Sequence, residues 1–387
     1  MSLRRASPFA LAALALAACF FSGREFVSMR AADEIHPGPG LTAPRLLSDW
    51  FPPLRGTPGD TPVFIFRGAS AGGAVLVLGG THPNEPAGYV AAVVLAENIR
   101  AAKGEVIVIP RANASGFTHS DPQEASPQRY EIPTAGGKRS FRLGSRVTNP
   151  VDQGPDPTIY VNPGGQKLAG IESRNLNRAY PGKRGGSLTE RVAFAIMALI
   201  KAEGVVLGID LHESAPEYPV NNAIVFHENG ADLAASAQMA LQAEGFDFRL
   251  EASPPNLRGL SHREWGDAAG IMAVLIETPN ASHGRLKGRP SAALVVEGRD
   301  AFYEKAAKLG RLFVPFGPEG IPLKERVARH LAAVSALLDA LREIEPNKAV
   351  AIENLPLATE VLAKGIGSFL HPPNRTHLAP GAAPRPA

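Results

Sequence analysis

Cysteine is nearly absent from this chain: among 387 residues, only Cys19 carries a thiol. That excludes a disulfide framework, a thiol nucleophile in the body of the protein, and a metal centre built on thiolates. Also lacking is any basic run interleaved with aromatics. The 40 Lys and Arg residues are scattered, only 6% of the chain is aromatic, and the net charge is +3. A nucleic-acid partner has no electrostatic footprint here. Long hydrophobic runs are missing too: the most apolar stretch, Phe9 to Phe21, is shorter than the roughly 20 residues that span a bilayer. What the chain does have is 35 prolines and 39 glycines, which predict many long loops. With 44% hydrophobic and 20% charged residues it has the composition of a globular protein, with ample material for a core.

The single cysteine sits in an informative place. Arg4 and Arg5 precede the apolar stretch, the pattern of a secretory signal over residues 1–21. Leu16-Ala17-Ala18-Cys19 resembles the lipobox of bacterial lipoproteins, in which the cysteine is lipidated and becomes the new N-terminus. The alternatives are ordinary cleavage after small residues or an uncleaved anchor. The expectation is an exported, periplasmic protein, attached to a membrane through a lipid on Cys19. Residues 22–60 read as a linker and irregular lead-in, 61–345 as one catalytic domain, and 346–387 as an extension whose Pro-rich end is disordered.

Within the domain, Pro62 to Phe66, Ala74 to Leu78 and Glu105 to Ile109 read as strands, with a helix from Ala87 to Arg100. Strand, helix and strand with short links make a βαβ unit and hence a largely parallel sheet. Gly68-Ala69-Ser70-Ala71-Gly72 matches the nucleophile-elbow pattern, but it leads from strand to strand. It reads as a hairpin turn, and Ser70 is set aside. Residues 113–170 lose all periodicity and read as an insertion covering a site.

Between strand and helix lies Gly79-Gly80-Thr81-His82-Pro83-Asn84-Glu85, at a strand's C-terminal end, where open α/β sheets bind ligands. A polar turn with a solvated Glu would look the same in isolation. Further along, Asn175-Leu176-Asn177-Arg178 offers amides and a guanidinium suited to gripping a carboxylate. A capping box at Ser187–Glu190 opens a helix to about Lys201. The strand from Val205 ends Asp210-Leu211-His212, with Asp210 and His212 on one face. Another ends on Glu277 after six apolar residues. Two histidines and a carboxylate make three ligands and leave the fourth position for water, as a catalytic zinc requires. Glu277 then suits a general base.

Four motifs, Gly79-Gly80-Thr81-His82-x-x-Glu85, Asn175-Leu176-Asn177-Arg178-x-Tyr180-Pro181, Asp210-Leu211-His212 and Ile276-Glu277, resemble in type and order those of the zinc carboxypeptidase superfamily. The first is most similar to the succinylglutamate desuccinylase/aspartoacylase branch. The resemblance spans roughly Val63 to Asn280. It implies a three-layer α/β fold with a mixed, largely parallel sheet of about eight strands flanked by helices. It implies that His82, Glu85 and His212 hold one zinc per chain, that Asn177 and Arg178 bind substrate, and that Glu277 is the base. Arg174 is a further substrate-binding candidate. For the arginine that steadies an oxyanion, Arg142, Arg146 and Arg174 all stay open.

Asn175 stands where the family has an Asp that accepts a hydrogen bond from the first zinc histidine. Asn175→Asp is therefore expected to tighten zinc and leave activity intact. The implied function is zinc-dependent hydrolysis of a C–N amide bond in an N-acyl amino acid or short peptide. A carboxypeptidase or cell-wall peptide amidase is the alternative, and a silent metal- or ligand-binding protein the third reading.

Overall fold

Val75 and Val77 point to one face of their strand and Leu76 and Leu78 to the other, and each pair enters a different hydrophobic core. This buried-on-both-faces pattern fixes the architecture of the computed structural model, which describes residues 3–28, 30–121 and 127–373. The strands are β1 Ala43–Leu46, β2 Pro62–Arg67, β3 Ser70–Leu78 and β4 Arg100–Ile109. Two hairpins follow, β5 Arg129–Thr134 with β6 Gly137–Arg142, and β7 Ile159–Val161 with β8 Lys167–Ala169. Then come β9 Val205–Ser214, β10 Ala223–Phe226, β11 Arg249–Ala252, β12 Met272–Pro279 and β13 Ala351–Glu353.

The main sheet has nine strands in the order β1-β2-β4-β3-β9-β12-β10-β11, with β13 also paired to β4. Its centre, β4-β3-β9-β12, is parallel. Antiparallel pairs flank it on both sides, β1 with β2, β2 with β4, and β10 with β12. The sheet is thus mixed with a parallel heart. The expected hairpin between β2 and β3 is not one. β4 lies between them and pairs with both, because its apolar run from Val106 to Ile109 belongs in the buried centre.

Helices cover both faces. Pro86–Asn98, Ala231–Ala243 and Leu323–Ile344 share the core that receives Val75 and Val77. Leu188–Ala202 and Trp265, from Ser261–Ala269, share the one that receives Leu76 and Leu78. Helix Pro86–Asn98 is apolar all round and buried almost throughout, as a helix between sheet and outer helix must be. Each fully buried Val or Leu there contributes roughly 1.5–3 kcal/mol of transfer free energy. Its close approach to β9 depends on Gly88: a Cβ there would lie 2.3 Å from the Leu211 carbonyl oxygen.

The N-terminal helix runs over Leu3–Ser28, past the apolar run's end at Phe21. Its stretch Pro8–Ser28 is long and apolar enough to cross a membrane, a property that signal sequences share, and it carries exposed Cys19. Phe26 and Val27 add the length that the shorter apolar run lacked. The Ser28 carbonyl accepts from Arg129 and Arg142, and Asp33 is buried beside Arg111. In the lead-in, Leu47, Phe51 and Leu54 join the core through two 3-10 turns, which leave no helical or strand period to read. At the other end, β13 and a helix over Ala358–Lys364 are ordered. Residues 374–387, most of the Pro-rich end, lie outside the described residues.

Candidate active site

The C-terminal ends of β3, β9 and β12 lie side by side, so the residues that end them meet. Leaving β3, Gly80 takes a φ of +69°, open to glycine, and the chain turns back so that Pro86 can start the next helix. The turn carries His82 and Glu85. His212 sits on β9 directly beside Glu277 of β12. His82, Glu85 and His212 are only 2–3% exposed, and their ligand atoms all fall within 4.8 Å of one another.

Each histidine turns Nδ1 inward and Nε2 outward. Nδ1 of His82 lies 2.7 Å from Glu85 Oε1, and Nδ1 of His212 lies 2.9 Å from Oε2. The outer edges face Asn175 and Asp210, with a hydrogen bond at His82 and an ion-pair approach at His212. His82 Nε2–H donates to Asn175 Oδ1 at 2.9 Å, and that oxygen also accepts from the Asn177 N–H, which sets the amide's orientation. His212 Nε2 lies 3.0 Å from Oδ2 of Asp210, on the face of β9 they were expected to share. Asp210 is itself fixed by the hydroxyls of Thr81 and Ser261.

The donor set fits a cation. With its proton on Nε2, His82 faces the Glu85 carboxylate across 2.7 Å with a lone pair, an opposition that positive charge between them resolves. Arg146 Nη1 already brings such charge, 3.0 Å from Glu85 Oε1 and 3.2 Å from His82 Nδ1. Burial and the charge of Arg146 push His82 down to about 3, so its imidazole is neutral. Burial works to raise Glu85, but the protonated His212 beside it outweighs burial and holds the carboxyl well below its ordinary range. Burial is likewise outweighed at His212, where Asp210 and Glu85 lift the imidazole well above its usual value. A cation held here would displace the His212 proton. Two imidazoles and one carboxylate, with no thiolate, could hold a metal ion and leave a position open.

Glu277 stands beside this cluster. Its Oε2 is buried without a hydrogen-bond partner, and burial lifts its carboxyl to about 8. Asn177 uses Oδ1 to accept the Ser261 N–H at 2.8 Å. Arg178 is partly exposed, and its Nη1 donates to the Asn177 carbonyl at 2.7 Å. It lies within the fields of Arg146, Glu277 and Glu85.

Among the three arginines left open, the geometry selects Arg146. Arg174 is corrected: its guanidinium is committed to both oxygens of Asp156 and to the Thr148 carbonyl. Arg142 is buried against the Phe117 and Ser28 carbonyls. Arg146 belongs to the 113–170 insertion, which thus reaches the cluster rather than only the surface. Ser70 lies at the opposite end of β3, bonded to the Ala102 carbonyl. A second acidic group, His227, Glu228 and Asp267, sits beside Ala273 at the far end of β12, and Arg263 and Arg258 neutralise it.

Three contributors carried no mark in the motifs. His283, in the loop after β12, has a buried, unpartnered Nδ1; burial pulls it down to about 4, with Glu85 and Arg146 the strongest charges on it. The rule that singled out His82, chemistry in the turn after a buried strand, would have found it. Glu213 and Glu172 gave no signal, since their partners are set by the fold.

Glu172 also changes the outcome expected at position 175. Nδ2 of Asn175 donates to Glu172 Oε2 at 2.7 Å, so an Asp there would set two carboxylates against each other. Asn175→Asp alone then leaves zinc affinity at or below wild type, and only Asn175→Asp with Glu172→Gln tightens it. Zinc competition titrations on the three proteins check this; tightening by the single variant would contradict it.

No family model matches the chain, and no curated protein is similar to it. Solved structures do resemble it. A succinylglutamate desuccinylase/aspartoacylase from Rhodobacter sphaeroides has 15% identity and a TM-score of 0.40, over 74% of this chain and 59% of that one. Product-bound cell shape determinant protein Csd4 from Helicobacter pylori has 13% identity and a TM-score of 0.44, over 76% and 55%. A metallo-carboxypeptidase from Burkholderia cenocepacia has 11% identity and a TM-score of 0.40, over 76% and 68%. The chain spans under two thirds of the first two. Their names include the superfamily and branch that the four motifs resemble, and the chemistry of the site stands on its own geometry.

Proposed function

We propose that this protein is a zinc-dependent hydrolase of a C–N amide bond, acting on an N-acyl amino acid or a short peptide. One observation carries the proposal: two imidazoles and a carboxylate converge, with Asn175 bonded to one imidazole and Asp210 3.0 Å from the other, and Glu277, whose Oε2 has no partner among the described residues, stands beside them. When bound, zinc supplies a Lewis acid and lowers the pKa of a bound water to about 7.

The chain's own groups do the rest. Glu277 Oε2 has no partner among the described residues, so it is free to take a proton from the attacking water and return it to the leaving amine. Arg146 brings positive charge to the place where negative charge develops on the carbonyl oxygen. Arg178 and the Asn177 amide hold the substrate's carboxylate. Burial of the ligands excludes water other than the reactant.

A carboxypeptidase or cell-wall peptide amidase would use the same groups and differ only in what Arg178 holds. A silent binding protein would have no need for an unpaired buried carboxyl at Glu277, which is costly to keep. The test is zinc content together with hydrolysis of a panel of N-acyl amino acids and C-terminal dipeptides. One zinc per chain and turnover of one class are expected. Zinc without turnover of either class would favour the binding protein, and absence of zinc would refute the proposal.

A further inference from the structure

The 22-residue helix Leu323–Ile344 docks on the sheet through Val327, Leu331, Val334, Leu338 and Leu341, an apolar stripe of ordinary kind. Two members of its buried face are not apolar. Arg326 and His330, one turn apart, are both 0% exposed. Burying a guanidinium in a helix that could use leucine weakens docking unless the charge is fully paired. Arg326 is paired through Nη1 and Nη2, with Nε left without a partner among the described residues, and its carboxylate partner lies next to the proposed metal cluster. Its Nη1 donates to Glu213 Oε1 at 2.5 Å, and Nη2 donates to the Val295 carbonyl. His330 Nε2 lies 3.3 Å from the hydroxyl of Thr278, the neighbour of Glu277.

Glu213 follows His212 on β9 and is entirely buried in its side chain. Its Oε2 accepts the Ala87 N–H at 2.7 Å, at the start of the helix that Glu85 leads into, and the Asn280 amide at 3.4 Å. Its own N–H donates to Glu85 Oε2 at 3.0 Å. One carboxylate thus joins the turn that carries Glu85, the strand that carries His212, the loop after Glu277, and, through Arg326, a helix 113 residues away in sequence.

We infer that Glu213 and Arg326 form a positioning pair for the metal centre, fixing Glu85 at its distance from the two histidines. The inference rests on the proposed reading of His82, Glu85 and His212 as a metal site. The Glu213 backbone N–H bonds Glu85 Oε2 directly, while the Glu213 and Arg326 side chains act through the start of the helix that Glu85 leads into. With Arg326 gone, Glu213 is an unpaired buried carboxylate, and the turn it anchors shifts toward water or toward another donor.

The experiment uses the full chain and two readouts: zinc affinity, by competition with a chromogenic chelator, and the urea unfolding midpoint. Wild type is expected to bind one zinc, and failure there would remove the metal reading itself before any variant is compared. Arg326→Met is expected to weaken zinc by about 10–100-fold, the loss typical when a partner of a ligand is removed. Arg326→Lys, which keeps the charge, restores most of the affinity. Arg326→Met combined with Glu213→Gln binds more tightly than Arg326→Met alone, because no unpaired carboxylate is left. A lower urea midpoint in Arg326→Met with zinc affinity unchanged would mean the pair only holds the fold together, and would overturn the inference. If Arg326→Met fails to fold, Glu213→Gln carries the test: wild-type zinc affinity in it overturns the inference, and weakening supports it.

Discussion

Glu277→Ala lowers amide hydrolysis by about 10²–10⁴-fold and leaves zinc content at the wild-type level. The split between the two readouts follows from geometry. Glu277 is the neighbour of His212 across β9 and β12 but is not one of the three converging ligands. Its Oε2 is buried with nothing to bond, and burial lifts its carboxyl to about 8, so it is poised to exchange a proton near neutral pH. Removing it takes away the proton carrier and relieves an unsatisfied buried group, so folding stability does not fall with activity. Glu277→Gln, which keeps the shape, loses activity to a similar degree. Paired zinc analysis and rate measurements decide the matter; wild-type rates in Glu277→Ala would exclude it as the base.

His82→Ala removes zinc. The change deletes one of the three converging ligands and leaves Glu85 and His212 as the remaining two, with Arg146 still beside Glu85. The loss exceeds the roughly 10–100-fold that removal of an outer partner costs, because a metal–ligand bond is lost and not merely its orientation. Asn175, which now accepts the His82 Nε2–H, is left with the Asn177 N–H and its bond to Glu172. Hydrolysis falls with the metal and returns only if excess zinc refills the site. Metal analysis after dialysis is the check: zinc retained in His82→Ala would place the metal elsewhere.

Much of this was legible in the chain itself, wherever chemistry and pattern were local. The apolar runs of β3, β4, β9 and β12 each exceed what a solvated segment carries, and near-continuous burial on both faces makes them central strands. Because the central strands run parallel, their C-terminal ends lie together, and His82, Glu85, His212 and Glu277 needed only to be located at those ends to be brought to one place. Asp210 was legible for the same reason, two residues before His212 on the same face.

The two hairpins of the insertion were not read from the sequence, because strands of three to six residues show only one or two alternations, as at Tyr130 and Ile132 of β5, too few to stand out from a loop. The choice of Arg146 over Arg142 and Arg174 depended on which guanidinium found Asp156, the Phe117 carbonyl or Glu85, and all three sit in similar polar surroundings in sequence. Glu172 reversed the outcome expected for Asn175→Asp through one amide hydrogen bond.

By itself, then, the sequence singled out His82, Glu85, His212 and Glu277 and the parallel heart of the sheet, since residue type and apolar runs are enough to place them at strand ends. Only the tertiary structure decided what surrounds them: the arginine over the ligands, the Glu213–Arg326 pair beneath them, and the carboxylate beside Asn175. Those are contacts between residues 3 to 126 positions apart. A buried charge is defined by whichever partner the fold delivers, and no local pattern records that partner.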